Sequence, residues 1–144
     1  MNCMTSTEPR QREAPAECVI QMPLGLLGFE QHKRFALLSN PAEDPFLWLQ
    51  GLDEPKPAFL VISPFVVLPS YEPEIPEEDA RFLGLQKQAD SLVFNIVTVR
   101  GPGSATVNLK GPILLNRHTL LAKQVIPLNA PDFSVACPLL LHGS

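Results

Sequence analysis

Histidines, cysteines, a glycine-rich triplet and a run of acids are the groups in this chain that could do chemistry, and their spacing limits what that chemistry can be. His32, His118 and His142 stand far apart, and none forms the HxxxH or HExxH spacing that turns two imidazoles toward one metal. Each reads as an exposed or satisfied structural histidine. Cys3, Cys18 and Cys137 are odd in number and lack a CxxC pair, which argues against a disulfide framework and against a zinc site. Cys18 and Cys137 sit among apolar residues, where a thiol usually packs rather than attacks. Gly101-Pro102-Gly103 has no Lys-Ser/Thr after it and lies between two strand-like runs, so it is a turn and not a phosphate loop. No nucleophile, base and orienting group fall into a recognisable pattern. The expectation is a protein that is not an enzyme and uses no cofactor and no metal.

The acids are less evenly spread than the formal charge of −4 suggests. Glu72, Glu74, Glu77, Glu78 and Asp79 fall within eight positions that hold no base, and without those five the chain keeps ten acids against eleven Lys and Arg. One short segment therefore carries the acidity. It lacks the alternating ligands and central glycine of a calcium loop. It reads either as a solvated stretch entering a helix or as a surface for a basic protein partner. Phosphate backbones need clustered Lys and Arg, so direct nucleic-acid binding is not expected.

The elements that must position these groups are short and strand-like. At 144 residues and 45% apolar content, the chain suits a single domain with one core, and 16 prolines disfavour a helical fold. Residues 1–17 are polar and read as a flexible tail, with residues 18–144 as the domain. Strand-like runs follow at residues 18–22, 35–38, 46–50 and 59–62, separated by proline-bearing turns. Trp48, between Leu47 and Leu49, reads as core. The longest run, residues 91–100, is rich in β-branched residues and apolar on both faces, which makes it central, with Leu92, Phe94, Ile96 and Val97 inside. A turn at residues 101–104 leads to a strand at 105–109, and further strands are expected at 113–116 and 120–126, with Leu109 and Ile113 inside. One helix is expected over residues 76–85, with acids in its first turn, Gly84 at its end, and Ala80, Phe82 and Leu83 toward the barrel. The fold class is all-β, mainly antiparallel, capped by that short helix. No segment has the apolar length of a secretory signal or a membrane-spanning helix, so the chain reads as a cytoplasmic protein with no membrane partner.

Several motifs in order resemble one family. Gly25-Leu26-Leu27-Gly28-Phe29-Glu30 is similar to G-L-P-G-F-E, and Pro45-Phe46-Leu47-Trp48-Leu49-Gln50 with Asp53 is similar to P-F-x-W-L-Q-S-x-D. Pro69-Ser70-Tyr71-Glu72 resembles P-D-Y-E, and residues 106–116 resemble T-x-N-L-x-A-P-I-x-x-N, with Gln124-Val125-Ile126 following. Together they resemble the patterns of the flagellar assembly factor FliW family. Leu27 replaces a usual proline, Gly111 a usual alanine, and Ser63 and Ser70 stand where aspartate is frequent. The resemblance implies a pseudo-barrel of antiparallel strands and a regulator that is monomeric when unbound. It implies binding to CsrA, the dimeric RNA-binding carbon storage regulator, which relieves repression of flagellin translation. Flagellin is the second partner that the resemblance implies. The residues expected to bind protein are Tyr71, Glu72, Glu74, Glu77 and Glu78. The alternative is a small ligand-binding barrel or hydrolase with a pocket lined from strand ends.

Overall fold

The computed structural model describes residues 16–140. Strands β1 (Ala16–Gln21), β2 (Arg34–Ser39), β3 (Phe46–Gly51), β4 (Ala58–Ile62) and β5 (Ser91–Gly101) follow one another as an antiparallel meander. β5 is long enough to take two partners along its far edge. β7 (Ile113–Asn116) pairs with its first half and β6 (Ser104–Val107) with its second. β8 (Ala122–Gln124) pairs with β7, and β9 (Cys137–Leu140) pairs with β6. A parallel bridge from Gln21 to Leu121, with the Gln21 N–H donating to the Leu120 carbonyl at 2.9 Å, joins β1 to the start of β8. The path β1-β2-β3-β4-β5-β7-β8 thereby closes on itself, and β6 and β9 form a flange beyond it. This is the expected antiparallel pseudo-barrel.

Alternation of side chains along the strands fills the barrel. Ile20, Phe35, Leu37, Leu49, Val61, Phe94, Ile113 and Leu115 are buried together inside, and Leu92 and Ile96 pack against them. Each such large apolar side chain contributes about 1.5–3 kcal/mol by leaving water. Val97 and Leu109 belong to a second cluster, with Ile62, Tyr71, Val107 and Leu139, between β5 and the flange. All six interior residues expected along residues 92–113 are thus buried or half-buried in these clusters.

Two short helices carry the chain across the barrel. β4 ends because Pro64 has no N–H to give a ladder, and the chain turns into α1 (Pro64–Val67). α2 (Glu77–Leu83) begins behind Pro76 and stops at Gly84, whose φ of 72° is the left-handed cap that glycine adopts without a Cβ clash. Leu83 packs on Leu114 and Val125, and the Asn116 side-chain amide donates to the Leu83 carbonyl at 2.8 Å. Asp79, also buried, is paired with Lys123.

The fold corrects several expectations. The first strand begins at Ala16, the strand expected over residues 120–126 shortens to β8, and α1 and β9 carried no expectation. The strand at 120–126 shortens because Leu120 takes a positive φ of 64° and turns the chain. The far half of β5 is not buried on both faces: Val99 is exposed, because the flange covers only one side there. Phe82 faces solvent beneath the Lys123 ammonium, since the buried positions of so short a helix are Asp79 and Leu83. Trp48 is exposed on β3, where alternation points Leu47 and Leu49 inward instead. His32 is buried against Phe29, yet neither ring nitrogen has a hydrogen-bond partner among the described residues, so it is not the satisfied histidine expected. Cys18 is disulfide-bonded, because an odd total does not prevent one bridge, and Cys137 is free. The flexible tail expected at residues 1–17 falls mostly outside the described residues, as does His142.

Candidate protein-binding cleft

The acidic segment begins at Tyr71, past the end of α1, and enters α2 at Glu77. Tyr71 fastens its start: the ring is buried between Phe65 and Phe133, and the hydroxyl donates to the Leu109 carbonyl at 2.7 Å. Burial pushes its phenol above the ordinary tyrosine range. Replacing Tyr71 with phenylalanine leaves the Leu109 carbonyl without its donor, and urea unfolding should register a loss of about 1–3 kcal/mol with an unchanged slope. Equal stability would mean that the hydroxyl is not what fastens the segment.

Asn129 fastens the middle. Its side-chain oxygen accepts the Glu74 N–H at 2.8 Å, its NH₂ donates to the Glu72 carbonyl at 3.1 Å, and the adjacent Leu128 N–H donates to the Glu74 carbonyl at 2.7 Å. With the backbone held from that side, the Glu72 and Glu74 side chains are left in solvent. Glu77 and Glu78 are exposed on the first turn of α2, where Glu77 forms a 3.3 Å pair with Arg81. Such an exposed pair contributes little to stability. Glu72, Glu74 and Glu78 have no ion-pair partner among the described residues.

Glu72, Glu74 and Asn129 border a cleft of about 750 Å³ between the segment and the first residues of β5. Ser63, Phe65 and Tyr71 line it, Ile75, Leu92 and Phe94 give it an apolar lining, and Glu72 and Glu74 are its only charged lining residues among the described residues. Tyr71 therefore offers the cleft wall and not an exposed anchor, while Glu77 and Glu78 lie outside the lining. Asn129 and the edge of β5 were not singled out from the sequence. An isolated asparagine ahead of Ala130-Pro131 has no spacing that announces a clamp.

The remaining titratable constellation among the described residues lies just ahead of Ser91, where the chain enters β5. The Asp90 carboxylate accepts the N–H groups of Gln86 and Lys87, each at 3.1 Å, and faces the His118 Nε2 at 3.1 Å. Those interactions, the Gln86 N–H foremost, hold Asp90 below the ordinary carboxylate range. Its contribution to stability is present above that range and is lost as pH falls below it, through the lowered value of the folded protein. No hydroxyl or thiol is hydrogen-bonded to the His118 ring among the described residues. The pair fixes the turn into β5.

The departures Leu27 and Gly111 meet at one side chain. Gln124 accepts the Leu27 N–H on its Oε1 at 3.0 Å and donates from Nε2 to the Gly111 carbonyl at 3.1 Å. A proline at 27 would have no N–H to give. A Cβ at 111 would lie 2.9 Å from the Gln124 Nε2.

Comparison with known proteins agrees with the motif order. A family model described as FliW protein matches residues 4–139. The flagellar assembly factor FliW of Leptospira interrogans serovar copenhageni is 43% identical over 113 residues, covering 77% of this chain and 75% of that protein. Its counterpart in Treponema denticola is 37% identical over 115 residues, covering 79% and 78%. A crystal structure of the flagellar assembly factor FliW superposes with a TM-score of 0.74 at 31% identity, covering 88% of this chain and 86% of that one. With the family model spanning nearly the whole chain and the fold shared, this protein belongs to the FliW family.

Proposed function

We propose that this chain is a flagellar assembly factor that works by binding proteins and not by catalysis. Its first partner on this reading is CsrA, whose repression of flagellin translation it relieves, and flagellin is the second, competing partner. Its relatives are named flagellar assembly factors. The observation that carries the reading is the acidic segment: Glu72 and Glu74 are held outward by the Asn129 clamp, with Glu78 beyond them. A fixed array of unpaired carboxylates steers a basic surface toward it and favours the correct register on contact. The hydrolase alternative has less support, because among the described residues no His, Cys, Lys or Arg lines the cleft beside Ser63 and Ser91.

Mixing this protein with CsrA and following complex formation by calorimetry and stopped flow tests the reading. Binding is expected, with an association rate that falls as salt rises. The Glu72→Lys, Glu74→Lys double variant should associate about ten-fold more slowly at low salt and lose most of that salt dependence. An unchanged rate would make the segment a solvated face, and no binding at all would remove CsrA as a partner.

A further inference from the structure

The backbone of β5 offers something that the acidic side chains do not. The Asp90 carbonyl accepts from the Arg117 N–H and the Ile96 carbonyl from the Asn108 N–H, both on the edge that faces β6 and β7. The registers with β4 and β7 run without a break from Ser91 to Val97. Backbone groups of successive residues point to opposite edges of a strand, so those of Ser91 and Val93 point to the β4 side. The β4 ladder, Leu60 to Val97 and Ile62 to Asn95, would next bring residue 64 opposite Val93. That residue is Pro64, which has no N–H and has already turned into α1. Among the described residues, nothing bonds to the Val93 N–H and carbonyl or to the Ser91 carbonyl, while the Ser91 N–H is taken by Gln88. This open edge is the floor of the cleft.

We infer that the cleft is a strand-addition site: a short extended segment of a partner protein, carrying alternating basic and apolar side chains, pairs with β5 at Val93. Three observations select this occupant. The unpaired donor and acceptors of one strand edge are matched by another extended backbone, which gains affinity from main-chain hydrogen bonds. Ile75 and Leu92 line the cleft for the apolar side chains of such a segment. Glu72 and Glu74, with no base beside them, complement its Lys or Arg side chains. Native proteins commonly cover or blunt an exposed edge, and here it lines an open cleft together with the acidic segment. The choice of a basic occupant rests on the functional reading above, and the free edge does not.

The test uses the full chain and a defined probe, a capped peptide Lys-Val-Lys-Val-Lys, followed by amide chemical shifts and hydrogen exchange. Shifts should concentrate at Val93 and at residues 72–75, and exchange of the Val93 amide should slow by about ten-fold or more at saturation. Methylating the backbone nitrogen of the central lysine or of the adjacent valine should abolish binding in at least one of the two positions. The peptide Glu-Val-Glu-Val-Glu should not bind, and the Glu72→Lys, Glu74→Lys variant should invert that preference. A Val93 amide unmoved up to the solubility limit of the basic peptide, or both methylated peptides binding as well as the parent, would overturn the proposal. So would a Val93 amide already protected in the free protein in proportion to its concentration, because a second copy would then occupy the edge. The experiment contains no CsrA. Peptide binding without CsrA binding leaves the edge site standing and removes the functional reading, and CsrA binding with Val93 unmoved does the reverse.

Discussion

Gly25→Ala is expected to destabilise this protein by about 2–5 kcal/mol, while Gly28→Ala, three residues along the same motif, should cost about 1–2 kcal/mol. Both glycines have positive φ, 66° and 87°, where an L side chain costs about 1–2 kcal/mol through its Cβ. They differ in what that Cβ would meet. At Gly25 it would stand 2.6 Å from the Glu30 Cα and 2.7 Å from the Phe29 carbonyl oxygen, both backbone atoms, whereas at Gly28 nothing lies within 4 Å. Backbone cannot swing aside as a flexible side chain can, so a further overpacking cost of about 1–3 kcal/mol applies at Gly25 alone. The turn is tight because it seats Met22 and Leu26 in the core, stacks Phe29 edge-on against Phe59 at 5.0 Å, and sends the Glu30 carboxylate back to the Gly28 N–H. Urea unfolding of the two variants decides the matter. Equal losses would mean that the loop relaxes around a new methyl group and that only the conformational cost is real.

That turn also shows where the sequence was readable and where it was not. The glycines, the β-branched run of β5, the proline-bearing turns and the acids ahead of α2 each report a local requirement, and the strands and the helix stand close to the expected positions. Trp48 and Phe82 were misread because a run of apolar letters does not say which member alternation turns outward. β9 was not expected, because Cys137–Leu140 contains Pro138 and becomes a strand only by docking on β6, whose paired residues lie 30 to 36 positions earlier. The candidate site was half legible. Its charges are visible as letters, but the clamp at Asn129 and the open edge at Val93 arise from register, which depends on the whole barrel. Gln124 illustrates the same limit. Its two hydrogen bonds link residue 27 to residue 111, and only the folded chain reveals that the two departures from the family pattern are one arrangement.

The functional reading leads to an RNA experiment with a large expected effect. If this protein relieves CsrA repression, it can do so by filling the RNA groove or by binding CsrA elsewhere and favouring a state of lower RNA affinity. Mimicry of RNA needs a ladder of negative charge long enough to replace several phosphates. Here only Glu72 and Glu74 face the cleft, Glu77 is shared with Arg81, and Asp79 is buried against Lys123, so the five acids do not form one. Binding away from the groove is therefore the expected mode, and strand addition at β5 is compatible with it. A coupling of about 1–3 kcal/mol would weaken the RNA affinity of CsrA by roughly 5–150-fold and then level off, because an effector can shift an equilibrium only by its difference in affinity for the two states. RNA titrations of CsrA at increasing fixed concentrations of this protein should thus give an apparent dissociation constant that rises to a plateau, with a ternary complex detectable there. A dissociation constant that rises in proportion to this protein without limit, with no ternary species at any concentration, would mean that the two ligands compete for one surface and that the acidic segment is a mimic after all.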